Sequence, residues 1–295
     1  MPRKIDYTVP EQYDGKKAIS FLRGFCGLST RLVRSLKFSE GGMKLNGIHV
    51  RTIDRVKCGD VISICIPDDG NGIEPLRAEL DIVYEDDDII VINKSPFMAM
   101  HPTHNHQGDT LANALCAYMN DKGKNPTFRA VGRLDKGTSG LVVCALNQLS
   151  ACRLSGKVKK EYAALVEGRI GKSGTVDVPI FRPDPMKTLR ACSYELGNEP
   201  AVTHWKTEKQ FENAALIRLN LETGRTHQIR VHMAYIGHPL AGDNMYGSFM
   251  PEIGHQLLHC AKCTFIHPVT NKEMVFEGDF CSDFKEILYK MNNKA

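Results

Sequence analysis

The 295-residue chain reads as an α+β protein: a mixed, mostly antiparallel sheet with flanking helices, preceded by a small N-terminal module of helices and strands. Three observations predict this. Strand-like runs outnumber helical patterns beyond residue 75 and follow no regular strand–helix alternation. The length allows about two domains, at roughly 150 residues each. The charge is unevenly divided: residues 1–66 hold twelve Lys and Arg against six Asp and Glu, a surplus of +6, whereas the other 229 hold 26 against 28. The boundaries that follow are a module over 1–66, a linker over 67–75 and a larger domain over 76–295.

Within the module, Ala-Ile-Ser-Phe-Leu-Arg-Gly at 18–24 reads as a short helix stopped by glycine. Ser29 suits the N-cap of a second helix over 30–39, in which Leu32, Val33 and Leu36 form the apolar face while Arg31, Arg34 and Lys37 recur every three residues. Asn46-Gly47 joins two short strands at 43–45 and 48–50, because both residues accept the positive φ of a type I′ turn. Residues 61–66 form one more strand, and the Gly/Asp/Asn/Pro run from Pro67 to Pro75 is the linker. Beyond it, strands are predicted at 82–84, 89–93, 141–145, 161–167, 201–211, 214–222 and 274–280. Helices are predicted from Asp109 or Thr110 to Tyr118 and near 283–291. The stretch 223–233 reads as alternating.

Composition excludes several classes. With 42% hydrophobic and 24% charged residues the chain is neither disordered nor a small disulfide scaffold. No apolar run approaches the ~18 residues that span a bilayer, and the start has no signal-like apolar segment, so the cytoplasm is the expected location. The ten cysteines are scattered, mostly in apolar runs, as reduced thiols used for packing. Cys260-x-x-Cys263 alone has metal-like spacing, and without a second pair it is weak evidence for zinc; two positions on a strand is the simpler reading. His101, His104 and His106 could hold a metal but have no carboxylate or cysteine close by; a loop is the alternative. No metal is expected. The basic surplus of the first 66 residues suits a polyanion, or else an ordinary solvated face.

Two clusters could carry chemistry. In Arg133-Leu-Asp-Lys-Gly-Thr-Ser-Gly140, Asp135 lies between two cations and beside a turn. That setting suits an ionised nucleophile or base, but taken alone it fits an ion-paired turn aspartate better. In Thr223-Gly-Arg-Thr-His-Gln-Ile-Arg-Val-His-Met233, two arginines need carboxylate partners if buried. His227 and His232, five apart, would not share a helix face, which weakens a metal reading.

Together these segments resemble the RluA-type family of pseudouridine synthases. The family's central motif, approximately His-Arg-Leu-Asp-Arg-x-Thr-Ser-Gly-Leu, is present as Gly132-Arg-Leu-Asp-Lys-Gly-Thr-Ser-Gly-Leu141. Its Lys-x-Tyr motif is Lys160-Glu-Tyr162, and its Thr-Gly-Arg-x-His-Gln-Ile-Arg-Val-His motif is complete at 223–232. Val91-Ile-Asn-Lys94, Met100-His-Pro102, His238-Pro-Leu-x-Gly-Asp243, Leu258-His-Cys260 and Phe265-x-His-Pro268 also fit, so the resemblance covers about 75–285. The two helices, short strands and Val56-x-x-Gly59-Asp60-x-Ile62 of the first segment resemble the S4-type RNA-binding module. Gly132 and Lys136 depart from the family's histidine and arginine.

The resemblance implies isomerisation of specific uridines in structured RNA, ribosomal in preference to transfer RNA, to pseudouridine. It implies no cofactor and no metal. Asp135 would be the essential carboxylate, and Tyr162 would stack on the uracil and assist proton removal at C5. Arg225 would pair with Asp135, with Arg230 the second choice. Arg133 would contact the RNA or fill the gap left by an extruded nucleotide, and His101 would line the cleft. Arg31, Arg34 and Lys37 would hold RNA phosphates, and a soluble monomer is expected. The rival readings are a non-catalytic RNA-binding factor, which need not retain Asp135, Tyr162 and Arg225 together, and a carboxylate hydrolase, which would need a second matching acid.

Overall fold

A computed structural model describes residues 2–67, 70, 72–102, 108–124, 127–248, 250 and 253–293. The first segment forms its own sheet. Strands β1 (Arg3–Thr8), β2 (Met43–Leu45), β3 (Ile48–His49) and β4 (Val61–Ile66) run in the order β1-β4-β2-β3, every pair antiparallel. Helices α1 (Ala18–Gly24) and α2 (Thr30–Phe38) cover it. The alternation of β4 sends Ile62, Ile64 and Ile66 inward, where Phe21, Leu22, Leu32, Val33 and Leu36 meet them in one buried cluster. Ser29 caps α2 by accepting from Leu32 N at 3.2 Å. Asn46 and Gly47 both have positive φ, as the predicted turn requires. Strand β1 has no counterpart among the sequence expectations; it pairs along its whole length with β4.

The remainder is built on a nine-stranded sheet. In chain order its elements are β5 (Ile82–Glu85), β6 (Ile89–Lys94), α3 (Leu111–Asp121), β7 (Ser139–Ala145), α4 (Gln148–Leu154), β8 (Lys159–Glu167) and β9 (Ser173–Asp177). A short hairpin follows, β10 (Ile180–Phe181) with β11 (Ala191–Cys192), outside the sheet. Then come β12 (Val202–Gln210), β13 (Ala214–Leu221), α5 (Gln228–Tyr235), β14 (Leu258–Ile266), β15 (Glu273–Glu277) and α6 (Ser282–Asn292). The strand order is β5-β6-β7-β14-β8-β13-β12-β9, with β15 on β14; β7 and β14 run parallel and the other pairs antiparallel. This is the mixed, mostly antiparallel α+β sheet that the sequence predicts.

The central strands are buried on both faces. Along β8, Tyr162, Ala164 and Val166 join the core containing α3 and α5 residues, while Ala163 and Leu165 pack toward Phe284 of α6. Thr110 caps α3 in a capping box with Asn113. Gly140, at φ +105°, lets β7 approach β14 closely; a Cβ there would strike the Cys260 backbone. Cys260 and Cys263 are both fully buried. Three residues apart, they would face opposite sides of a regular strand, but a bulge against β8 between Cys260 and Lys262 turns both into the same core. Burial raises the Cys260 thiol to about 11 and that of Cys263 to about 12, so both serve as apolar packing groups.

The N-terminal sheet is bound directly to this domain. Arg3 of β1 donates to both oxygens of Asp88, at 3.0 and 2.7 Å, and Asn147, the N-cap of α4, donates to the same carboxylate at 2.9 Å. From α4, Arg153 donates to the Cys26 and Pro268 carbonyls, and Leu149 enters the core of the N-terminal module.

Candidate active site

A cleft of about 650 Å³ opens above β8, lined by the 131–138 loop, by Lys159, Lys160 and Tyr162, and by residues 220–225 and 227–230. The two sequence clusters therefore meet in one place. Asp135 sits in the loop that feeds β7, its side chain 30% exposed to the cleft. Its carbonyl accepts from Thr138 N at 3.0 Å, closing a tight turn. Gln256 donates to Thr138 Oγ1 at 3.1 Å, and Ser139 Oγ lies 2.8 Å from His259 Nδ1, whose Nε2 donates to Gly278 O at 3.2 Å. These bonds brace the loop from beneath.

The stretch predicted as alternating is instead helical from Gln228. His227 forms its N-cap in the left-handed region at φ +58°, which hides the helix start from a search for Ser, Thr, Asp or Asn caps. Helical spacing then separates two roles. Gln228 and His232, four residues apart, share one face. Gln228 Nε2 donates to Val202 O and Thr203 Oγ1, at 2.9 and 3.1 Å, and its Oε1 accepts from Thr223 Oγ1 and Arg225 N. His232 bonds Thr203 Oγ1 at 2.9 Å and Val178 O at 3.0 Å. Arg230, two residues round the helix, points the other way, toward Asp135.

This corrects the predicted pairing. Arg230, not Arg225, faces the carboxylate: its Nη1 lies 3.7 Å from Asp135 Oδ2. Its fork is fixed by Asp243, Nε to Oδ2 at 2.7 Å and Nη2 to Oδ1 at 2.8 Å, and Asp243 is 1% exposed. Its guanidinium also lies 5.1 Å from the centre of the Tyr246 ring. Arg225 lines the same cleft but turns outward, donating to Pro200 O at 3.1 Å with Glu199 at 3.9 Å. The stretch between the two arginines includes the left-handed His227, which turns the chain into the helix that carries Arg230.

Tyr162 is buried on β8 and borders the cleft. Burial pushes its phenol well above the usual value, reinforced by Cys260 and Asp135, so it stays protonated at neutral pH. The Tyr246 hydroxyl accepts from Arg190 N at 2.9 Å, which leaves its proton for His227 Nδ1, also at 2.9 Å. Burial lowers the His227 pKa, keeping that ring neutral on the cleft wall. Arg133 is exposed at the cleft rim. Gly132 has φ +80°, and a Cβ there would come 3.2 Å from Lys160 Nζ. The space beside Gly132 is thus occupied by a cation delivered from β8.

The remaining predicted residues lie elsewhere. His101 is outside the lining of this cleft; it packs edge-on to Phe128 at 4.8 Å, and burial together with Arg133 lowers its pKa. His104 and His106 fall outside the described residues. Arg31, Arg34 and Lys37 are exposed on α2, in the N-terminal module. Among the described residues one metal-like group, Asp86, Asp88 and His267, is found, and it is internally satisfied. His267 Nδ1 accepts from Val269 N and Thr270 N, so its Nε2 carries the proton donated to Asp86, and Arg3 and Asn147 occupy Asp88.

Residues 88–235 match the family model for RNA pseudouridylate synthase. The chain belongs to that family. It is 38% identical over 279 residues to an uncharacterized RNA pseudouridine synthase of Bacillus subtilis, YjbO, covering 92% of this chain and 98% of the relative. It is 37% identical over 254 residues to the ribosomal large subunit pseudouridine synthase D of Pasteurella multocida, covering 79% of this chain and 78% of that one. Among solved structures, human RNA pseudouridylate synthase domain containing 4 superposes with a TM-score of 0.58 at 21% identity, over 72% of this chain and 92% of the other, which establishes the shared fold. The synthase is an isomerase by family, and every residue lining the cleft around Asp135 except Leu258 lies within the matched region. No helix among the described residues is long and apolar enough to cross a membrane.

Proposed function

We propose that this synthase converts uridines of structured RNA, ribosomal RNA in the first place, to pseudouridine in the cleft around Asp135. The observation that carries the reading is the ion-paired triplet Asp135–Arg230–Asp243, which presents one partly exposed carboxylate to a cleft lined by Arg133, Lys159, Lys160 and Arg225. During the reaction the N1–C1′ bond breaks, the base turns, and a C5–C1′ bond forms. The C5 proton leaves and N1 gains one, so the product is an isomer and no oxidant or co-reactant is consumed. Asp135 supplies the reacting carboxylate, and Arg230, held by Asp243, pairs with it and fixes its orientation. Tyr162, protonated and at the cleft floor, stacks on the uracil. A base role at C5 would require the phenolate that burial opposes. Arg133 and Lys160 meet the RNA backbone, and Arg225 at the rim serves binding, not charge pairing.

The N-terminal module, S4-like in its helix pair and short strands, supplies affinity through Arg31, Arg34 and Lys37. The protein works as a monomer without metal or cofactor, in the cytoplasm, where its ten free cysteines stay reduced. Mapping pseudouridine in total RNA from cells with and without the gene tests the reading. Loss of one or more sites in ribosomal RNA is the expected result. An unchanged map would favour the non-catalytic RNA-binding role, and sites lost only from transfer RNA would reassign the substrate.

A further inference from the structure

The N-terminal module rests on a seat made by three segments of the larger domain: the turn at 86–88, helix α4 and the turn at 267–269. At the first, Asp88 is 2% exposed, and its two oxygens receive the Arg3 fork of β1, with Asn147 Nδ2 on one of them. At the second, Leu149 is buried in one cluster with Phe21, Leu28 and Leu32 of the module. The Arg153 guanidinium there joins three segments at once: it donates to Cys26 O of the module, to the Tyr7 hydroxyl of β1 at 3.4 Å and to Pro268 O. At the third, Val269 packs on the same cluster, in a turn held by His267 on Asp86. The chain between the two parts is held as well. Gly70, Ile73 and Glu74 give their carbonyls to Thr127, Cys116 and Asn113, and Leu76 N donates to Asn113 O at 3.1 Å. A free tether needs neither a buried charge pair between its parts nor a chain bonded along its length. Helix α4 also leads to the cleft. Its N-cap holds Asp88, its body grips the module, and the chain leaving it lines the cleft at Gly156, Val158, Lys159 and Lys160.

We propose that the module is a fixed part of the RNA-binding surface, and that Arg3, Asp88 and Arg153 are positioning residues for substrate choice. They set the module's orientation to the cleft, so a uridine is accepted only where a second segment of the same folded RNA reaches the exposed Arg31, Arg34 and Lys37 of α2. The role rests on reading the cleft as the site of uridine isomerisation and α2 as an RNA-binding face. A tethered module would serve many spacings and would have to be ordered at each encounter. A docked one has already lost that freedom, so its phosphate contacts add to affinity in full, but only for RNA of matching shape.

The test compares wild type, Arg3→Gln/Arg153→Gln and a control of equal charge change, Lys4→Gln/Lys57→Gln, in the full chain; both control lysines are exposed. Small-angle scattering reads the docking. Tritium release at uridine C5 reads turnover on two RNAs: unmodified large-subunit ribosomal RNA made by transcription, and a short hairpin cut around the uridine modified in it. Wild-type scattering should fit the docked arrangement alone, and Arg3→Gln/Arg153→Gln should enlarge the radius of gyration. On ribosomal RNA this variant should raise KM about tenfold with the maximal rate within about threefold. On the hairpin its constants should stay near wild type, and the control should change KM on either RNA by less than about threefold. An interface that only stabilises the fold would lower the thermal midpoint and leave the ratio of KM values for the two RNAs as in wild type; that result would overturn the proposal. So would wild-type scattering that requires several module orientations, or an equal loss in the control. Should the double variant fail to fold, wild-type scattering and Arg3→Gln alone decide: several orientations, or a KM ratio unmoved by Arg3→Gln, refutes the role. Absence of turnover by wild type on both RNAs would instead reject the uridine reading, and the docking would then be decided by scattering and by affinity for the same two RNAs in filter retention.

Discussion

Replacing Asp243 by Asn isolates the part of the site that is most fully built. The substitution keeps the size and shape of the side chain but removes the charge that holds Arg230 at 2.7 and 2.8 Å. Arg230 and Asp243 expose only 8% and 1% of their side chains, so solvent does not replace the lost partner. Breaking a buried pair from one side costs about 3–5 kcal/mol, because the remaining charge stays desolvated. For a chain of 295 residues, with unfolding entropy scaling with length, that corresponds to a fall of about 5–8 °C in the thermal midpoint. The second effect is on chemistry. Arg230 Nη1 stands 3.7 Å from Asp135, an ion pair without close hydrogen-bond contact, and it holds that distance because Asp243 takes the other side of the fork. Freed from Asp243, the guanidinium shifts, and the maximal rate should fall about 10- to 100-fold with RNA affinity little changed. Thermal unfolding and single-turnover tritium release measure the two effects. An Asp243→Asn variant with both the midpoint and the rate of wild type would refute the assignment of Arg230 as the held partner of Asp135.

Three further outcomes are expected. Arg230→Ala should reduce the maximal rate more than about 100-fold, whereas Arg225→Ala, which removes a half-exposed rim residue, should cost less than about tenfold; steady-state kinetics on one RNA would show a reversed order if Arg225 were the partner of Asp135, as the resemblance implies. Changing Arg31, Arg34 and Lys37 together to Gln should raise KM more than it lowers the maximal rate. It should also flatten the logarithmic salt dependence of RNA binding by about 0.7–0.9 for each phosphate no longer neutralised, read from binding isotherms at several salt concentrations. Burial lowers His259 to about 4, against about 6.5 in the unfolded chain, so the unfolded state binds the proton first; stability should fall as pH drops from about 6.5 toward 4, by about 3 kcal/mol, and urea unfolding of His259→Gln over the same range should show a flatter dependence.

The α2 substitutions are a cleaner probe of the N-terminal module than its removal. Deleting residues 1–70 would leave Asp88 without Arg3, and would strip Leu149 and Arg153 of the core and carbonyl they pack against. The charge asymmetry in sequence marks an appended module; it carries no sign that the module is fastened at Asp88, because that bond joins residues 85 positions apart.

What can be read from the chain, and what cannot, follows from the range of each interaction. Ser29, Thr110 and Asn46-Gly47 announce local structure because a cap or a turn is decided within three or four residues. Asp135 and Tyr162 are legible as candidates from motif spacing, and the sheet brings them to one cleft. The helix over 228–235 is hidden because it is buried around most of its surface and shows no apolar stripe, and because its cap is a left-handed histidine. The resemblance, which places Arg225 first and Arg230 second as the partner of Asp135, carries no information on which of the two the helix turns toward the carboxylate. The principle that a buried arginine needs a carboxylate is sound, but the carboxylate is Asp243, across a loop that no periodicity describes. Lys94, Gln256 and His259, which brace the Asp135 loop, act through backbone atoms and side chains distant in sequence; Lys94 and His259 stand in motifs of the resemblance, but nothing local shows what they brace. Strand β1, alternating charged and apolar residues at the start of the chain, has the period of a strand and is within reach of the same reasoning.

The central claim is that Asp135 carries out uridine isomerisation. The most direct test is tritium release from C5-labelled RNA by Asp135→Asn, under single-turnover conditions with enzyme in excess. The amide preserves the size of the side chain and removes its charge and nucleophilicity. The account predicts no detectable release over many wild-type half-times, with RNA bound about as tightly as before. Release at a substantial fraction of the wild-type rate would contradict it and move the chemistry to another group in the cleft.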